Sequence, residues 1–390
     1  MPRSTALRLL YAFTVGGVLG ATWLLSDGLL GPGASFGLIP LLATRRGCAA
    51  RFTAATGYYA CGSVPIVAAV VGYWGAGHAA LGIAAWIAAS LLLAAPWSLA
   101  AQYGSALGAL ALTALPPLGF IGWLSPLNCA GVLFPGTSWV GLCFLCVAIV
   151  VVYEWTHEYR QPHVVALAAV GLIALMSNLI YREAAPPNGW TGINTHLKPG
   201  RGNVLADIQN NQQAIRAGIA QAQGARIVVF PEAILDDWWP GTREQLSLAV
   251  PSGQLWILGA ATDASDAVVA AAHGQVSDRP LTRSAGLIFG GNWLPWSRQT
   301  LQPAWWEPVF SVEDHRVWAA LCVEQLQPWT WFEAMLQRAD VVLALSNGWW
   351  ADTPGATGLP AGGAALAIEH ASSRAWSRLM HSPLVWAVNQ

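Results

Sequence analysis

The sequence predicts a polytopic α-helical membrane domain over residues 1–180, followed by an α/β domain over residues 181–390. Three observations predict it. No Asp, Glu, Lys or Arg occurs from Phe52 to Tyr153, a run of 102 residues. A water-facing surface is not built that way, whereas lipid-facing helices require it. Gly, Pro and polar pairs break the apolar text at intervals near the ~20 residues that carry a helix across about 30 Å of hydrocarbon. From Tyr181 onward charges return, and short β-rich runs alternate with helical patterns, as in a layered α/β domain.

The apolar segments lie near residues 8–25, 29–44, 53–75, 79–97, 103–124, 131–153 and 163–179, which makes about seven spans. The second, LLGPGASFGLIPLLA, is short and carries Gly and Pro, so a kinked or re-entrant course is open to it. The stretch after Arg3 and Arg8 reads as a first anchor rather than a cleaved signal, because further apolar segments follow it directly. Arg3 and Arg8 precede segment one; Arg45, Arg46 and Arg51 separate two from three; Arg160 separates six from seven. With seven spans all six face the cytoplasm. Residues 181–390 are then expected on the periplasmic side of a bacterial inner membrane.

In the second half, GWTGINT (189–195) reads as a first strand and residues 203–222 as a helix. ARIVVF (225–230), LWILGA (255–260), SAGLIF (284–289), HRVWAALC (315–322), DVVLALS (340–346) and LVWAVN (384–389) read as strands. QPWTWFEAMLQRA (327–339) and AALAIEHASSRAWSRLM (364–380) read as helices.

Composition removes several functions. Residues 181–390 carry 17 acidic and 13 basic side chains with no basic stripe, which argues against a nucleic-acid partner. The histidines are scattered without ligand spacing, so no metal is expected, and no glycine loop is followed by Lys-Ser/Thr, so no cofactor is expected either. Five of the six cysteines lie in or beside apolar segments. Cys322 is the only one after residue 180, which leaves no internal disulfide there.

Three polar residues sit at strand ends. Glu232 follows the strand ending at Phe230, Cys322 ends another, and Glu324 is two residues on. Each has a bland reading: anions suit helix N-termini, and a strand-end cysteine often only packs. Together they suit a thiol nucleophile with a carboxylate base, where the carboxylate takes the thiol proton and the thiolate attacks a carbonyl.

Taken in order, VVFPEAIL, WSRQTLQP, LCVEQ and LSNGWW resemble the nitrilase (carbon–nitrogen hydrolase) superfamily. The chain is most similar to the apolipoprotein N-acyltransferase branch, in which membrane spans precede an exported nitrilase-like domain, and within it to plasmid conjugal transfer proteins. The resemblance implies an αββα-type sandwich, here shortened at its C-terminus. It implies Glu232 as general base, Cys322 as the acylated nucleophile, Glu324 as a supporting acid, and Asn347 at the family's Ser-Asn position. The family's lysine, which steadies the oxyanion, is replaced by Arg298; the single lysine of the chain is Lys198. Arginine supplies charge and donors, but not a compact ammonium.

Fifteen of the 22 tryptophans lie after residue 180. Trp238, Trp239, Trp305, Trp306, Trp349 and Trp350 follow motif elements in adjacent pairs, which one core cannot easily bury. With Asn347 they are expected to form a substrate or lipid rim, since indole favours the headgroup region. The resulting expectation is a membrane-bound acyltransferase moving an acyl group from a phospholipid donor, through a Cys thioester, to an amine on a protein or peptide. Conjugation proteins are the further partners that the resemblance implies. The alternatives are a catalytically degenerate scaffold of the conjugation machinery and an amidase acting on C–N bonds.

Overall fold

The computed structural model describes residues 3–25, 28–158, 161–198, 203–235, 238–262, 265–286, 293–350 and 362–390. The chain has a helical N-terminal half and a mixed α/β C-terminal part. It divides into two compact units.

The first unit comprises Met1–Glu183, Leu326–Trp329 and Thr353–His381. Among the described residues it holds four helices long and apolar enough to cross a membrane: Thr5–Leu24, Ala76–Ser98, Trp139–His157 and Gln161–Ile180. A fifth is added if Cys48–Gly62 and Pro65–Trp74, bent by 44°, count as one. The remaining two of the seven apolar segments are shorter helices. Leu30–Ala43 and Tyr103–Ala114 are apolar helices of too few residues to span. The former carries two glycines and a proline after its first residue, and the latter stops before Pro116–Pro117, where the backbone turns extended at Leu115. Composition reports apolarity. It does not report where backbone hydrogen bonding stops.

The helix Gly362–Met380, expected among the sheets, belongs to this unit. A Cβ on Gly131 would run into the carbonyl of Ala375, so the two backbones touch only because residue 131 has no side chain. Ser372 donates to the buried Asn128 at 3.0 Å, and Arg374 meets Glu183 through two 3.0 Å bonds. Arg378 lies 4.6 Å over the Tyr181 ring.

The second unit comprises Ala184–Gln325, Thr330–Asp352 and Ser382–Gln390. Its first sheet orders β1 (Trp190–Gly192), β3 (Ile227–Val229), β4 (Leu255–Ala261), β5 (Asp266–Ala272) and β6 (Gln275–Val276), with β7 (Thr282–Arg283) also on β5. Its second orders β2 (Asn194–Thr195), β11 (Leu384–Asn389), β10 (Val341–Asn347), β9 (His315–Leu321) and β8 (Phe310–Val312). The segment GWTGINT therefore splits at Ile193 between two sheets. SAGLIF is not a strand over 284–286, and 287–289 lie outside the described residues.

Alternation of side chains sorts the core into layers. Ile227, Val229, Ile257 and Val268 of the first sheet pack against Val317, Leu321, Leu343, Leu345 and Val385 of the second. Val228, Phe230, Trp256 and Leu258 point the other way, against Ala214 and Ile215 of the helix Val204–Gln221 and Leu246 of the helix Pro240–Ala249. On the far side of the second sheet, Trp318 meets Trp331 with ring centroids 5.0 Å apart. Strands buried on both faces read as continuous apolar runs, which is why IVV, WAAL and VVLALS were legible.

Candidate active site

Parallel strands deliver their C-terminal ends together, the usual place for ligands in sheets of this kind. β9 pairs with β10 with Leu321 opposite Leu345, and β10 pairs with β11 with Asn347 opposite Asn389. Asn347 also donates to the carbonyl of Ala233 at 3.5 Å. The turn carrying Glu232 and the ends of β10 and β11 are thus tied in one place, and Cys322 emerges one strand away.

Glu232 is 8% exposed and sits in a tight turn directly after β3. Ile234 N–H donates to Gly259 O at 3.1 Å, and Gly259 N–H donates to Pro231 O at 3.2 Å. An added Cβ at Gly259 would stand 2.5 Å from the Cα of Glu232. Only glycine in β4 lets the turn lie this close. Ala233 has φ +42°, a left-handed conformation that residues with a Cβ seldom adopt.

Cys322 has φ +44° and opens the 3-10 turn Cys322–Leu326. Left-handed backbone at a non-glycine residue costs about 1–3 kcal/mol and persists only where its surroundings enforce it. The enforcing group is Glu324, which is fully buried. Its Oε2 accepts from Leu321 N–H at 2.8 Å. Its Oε1 accepts from the Ser284 hydroxyl at 2.6 Å, Ala285 N–H at 2.7 Å and Gly286 N–H at 2.9 Å. Gln325 then donates to the Ser346 hydroxyl at 2.8 Å, fixing the turn to β10. The half-buried Cys322 is in no disulfide.

A second acid, Glu307, escaped the sequence reading. It is fully buried and accepts from Ala285 N–H at 2.9 Å, the same N–H that Glu324 accepts from. Burial first, and then the Glu324 charge, push Glu307 well above the usual carboxylate range. Glu333 accepts from Glu307 N–H at 3.0 Å; burial raises it to about 7, against that hydrogen bond and with help from Glu324. Asp266 is raised to about 6 by burial and then by Glu324. Glu307 follows Trp305-Trp306 and precedes Pro308, and nothing in that local text marks it as buried.

A pH prediction follows from Glu307. The unfolded chain sheds the Glu307 proton near 4.5, the folded chain holds it, and so stability falls as pH rises above that value. Glu307→Gln keeps a neutral donor and cannot ionise. Its unfolding free energy, measured in denaturant at pH 5 and pH 8, should gain on the parent protein as pH rises. A constant difference between the two pH values would contradict the assignment.

The remaining expected residues separate. Arg298 is exposed on the turn 294–300, and among the described residues its side chain has no hydrogen bond or ion pair. Trp239, Trp305 and Trp306 are exposed, while Trp238, Trp349 and Trp350 are partly buried. Trp305 stands edge-on to the buried Trp293 at 5.5 Å. Lys198 and Trp349 line a cavity of about 20 Å³ with Ala233, Asn347 and Asn389, room for about one water. Among the described residues no cluster of His, Cys, Asp and Glu could hold a metal ion.

Comparison with known proteins gives two relatives over most of the chain. A probable conjugal transfer protein TraB of Sinorhizobium fredii is 30% identical over 291 residues, covering 71% of this chain and 70% of that protein. A conjugal transfer protein TraB of Agrobacterium fabrum is 27% identical over 296 residues, 73% of this chain and 66% of that protein. No family model matches. Among solved structures, a glutamine-dependent NAD+ synthetase from Acinetobacter baumannii aligns with TM-score 0.30 and 18% identity, over 40% of this chain and 31% of that one. An amidase of the nitrilase superfamily from Nesterenkonia AN1 aligns with TM-score 0.26 and 16% identity, over 43% of this chain and 68% of that one. Scores this low leave the architecture to be judged from the strand order itself.

Proposed function

The chain belongs to the family of the conjugal transfer protein TraB, and from that premise we propose that it is a membrane-bound acyltransferase with a nitrilase-type αββα domain, serving conjugal transfer. The observation that carries this reading is Cys322 held at φ +44° at the end of β9 by a buried carboxylate two residues later. A structural cysteine has no need of an enforced turn that lifts its side chain off the strand.

In the proposed cycle Glu232 takes the Cys322 thiol proton, and the thiolate sulfur attacks the ester carbonyl of a phospholipid. The tetrahedral oxyanion collapses, the ester C–O bond breaks, and the departing lysophospholipid alkoxide takes the proton from Glu232. An acceptor amine then attacks the thioester, passes a proton to the thiolate and leaves as amide. Arg298 is the candidate cation for the oxyanion, which requires its turn to close over the sulfur. Oriented donors at such a position contribute roughly 2.7–4 kcal/mol. The exposed Trp239, Trp305 and Trp306 suit contact with lipid. The apolar helices of the first unit suit an inner-membrane location with the second unit in the periplasm.

The test is the intact mass of the purified protein after incubation with phospholipid. One acyl mass, lost on treatment with neutral hydroxylamine, is the expected result. No adduct from any phospholipid, in protein shown to be folded, would sink the thioester. The second reading, a non-catalytic scaffold for conjugation proteins, is favoured by one observation: Arg298 stands exposed, and without a partner among the described residues, where the family resemblance expects a working lysine. Gly259→Ala probes the geometry separately. Displacing the Glu232 turn by about 1 Å should slow acylation on the order of 100-fold, and a rate within threefold of the parent would argue that Glu232 is not the base.

A further inference from the structure

Beside β7 runs a groove of about 660 Å³, within the second unit, whose chemistry the thioester cycle leaves unused. None of Glu232, Arg298, Cys322 or Glu324 lines it. Such a volume falls in the range of ~300–1,000 Å³ typical of small-molecule sites.

Three of its lining residues carry polar atoms that are buried and unsatisfied: Trp238 Nε1, Ser265 Oγ and Thr282 Oγ1. Ser265 is 0% and Thr282 3% exposed. Native proteins leave few such atoms without partners, and three of them belong to residues of this one groove. Arg279 and Arg283 also line the groove and are exposed. Among the described residues neither guanidinium has an ion pair; the ion pair at that edge joins Arg243 to Asp278 at 3.4 Å. Leu281 and Trp306 add apolar wall.

We propose that this groove binds a single-chain anionic amphiphile, with its tail along Trp238, Leu281 and Trp306 and its phosphate or carboxylate head at Arg279 and Arg283. Guanidinium groups match both oxyanions, and the indole N–H and the hydroxyls, which are closed off from solvent, meet the oxygens next to the head as it seats. Two cations in a unit with excess acid are too few for nucleic acid. The volume admits one tail rather than a whole two-chain lipid. This binding shares Trp306 with the lipid contact proposed above and uses none of Glu232, Arg298, Cys322 or Glu324.

The experiment is native mass spectrometry of the full chain, carried as Cys322→Ala to exclude acylation and released from an uncharged polyoxyethylene detergent. Titrants are dodecyl phosphate, dodecylphosphocholine and inorganic phosphate. Dodecyl phosphate should bind once, at least about tenfold tighter than either of the others, and Arg279→Gln with Arg283→Gln should erase that preference. Thr282→Val supplies a second readout: it should weaken dodecyl phosphate several-fold and, by removing an unpartnered hydroxyl, raise the ligand-free melting temperature. Equal binding of dodecylphosphocholine, equal binding of inorganic phosphate, or a preference that survives the double arginine change overturns the proposal. Acylation of the parent protein without this preference would overturn the groove alone, and the preference without acylation would overturn the thioester alone.

Discussion

Cys322→Ser is expected to slow formation of the hydroxylamine-labile acyl adduct by roughly four to six orders of magnitude, as loss of a nucleophile does elsewhere. A thiol gives up its proton far more readily than a hydroxyl, so a carboxylate base that serves sulfur is too weak for serine. The φ of +44° makes serine a fair control, since both residues meet the same backbone strain and the turn should survive the exchange. Mass against time, on protein of unchanged circular dichroism, gives the rate. Any adduct that forms on serine would be an ester and would resist neutral hydroxylamine. Equal rates of labile adduct in both proteins would place the chemistry on another residue.

Glu324→Ala should be the most destabilising single change in the second unit, by about 3–5 kcal/mol. It strands the Ser284 hydroxyl and the N–H groups of Gly286 and Leu321, while Ala285 N–H keeps its bond to Glu307. Each stranded donor costs about 1–3 kcal/mol, and water entering the cavity holds the total below the sum. At about 2–4 °C per kcal/mol for a unit of this size, the melting temperature should fall by about 6–20 °C. Glu324→Gln keeps one acceptor oxygen and turns an amide N–H₂ toward one side, so about half the loss is expected. A fall under about 2 °C for the alanine variant would mean that Glu324 does not hold the turn.

The parts of this molecule that could be read from the text are those where one residue's chemistry settles its place. Apolar β-branched runs bounded by Pro, Gly and Asp gave β3, β4, β9, β10 and β11, since a strand covered on both faces has only one composition. β5, DAVVAAA, was hidden because alanine serves helix and strand alike, and β7 because two residues make no period. At the site, Glu232, Cys322 and Glu324 stood out by following apolar runs. Glu307, Glu333 and Asp266 did not, because their burial is conferred by segments far away in sequence. Gly259 was likewise silent, since the need for a missing side chain is visible only once the turn lies against it. The helix Tyr103–Ala114 stops ahead of Pro116 although the text stays apolar there.

The return of Gly362–Met380 to the helices of the first unit sets a schedule for biosynthesis. The backbone of Gly131 has a reserved neighbour in Ala375, more than 240 residues later. At about 5–20 residues per second, some 200 residues separate the last N-terminal helix from that partner by roughly 10–40 s of elongation. During that interval the seat of the late helix, with Asn128 and the carbonyl of Gly131, stands open. The ribosome must pass residue 380 before the N-terminal helices can reach their final packing. Chains stalled or truncated before residue 362 should therefore be cleared by membrane proteolysis, even though every apolar helix has already been synthesised.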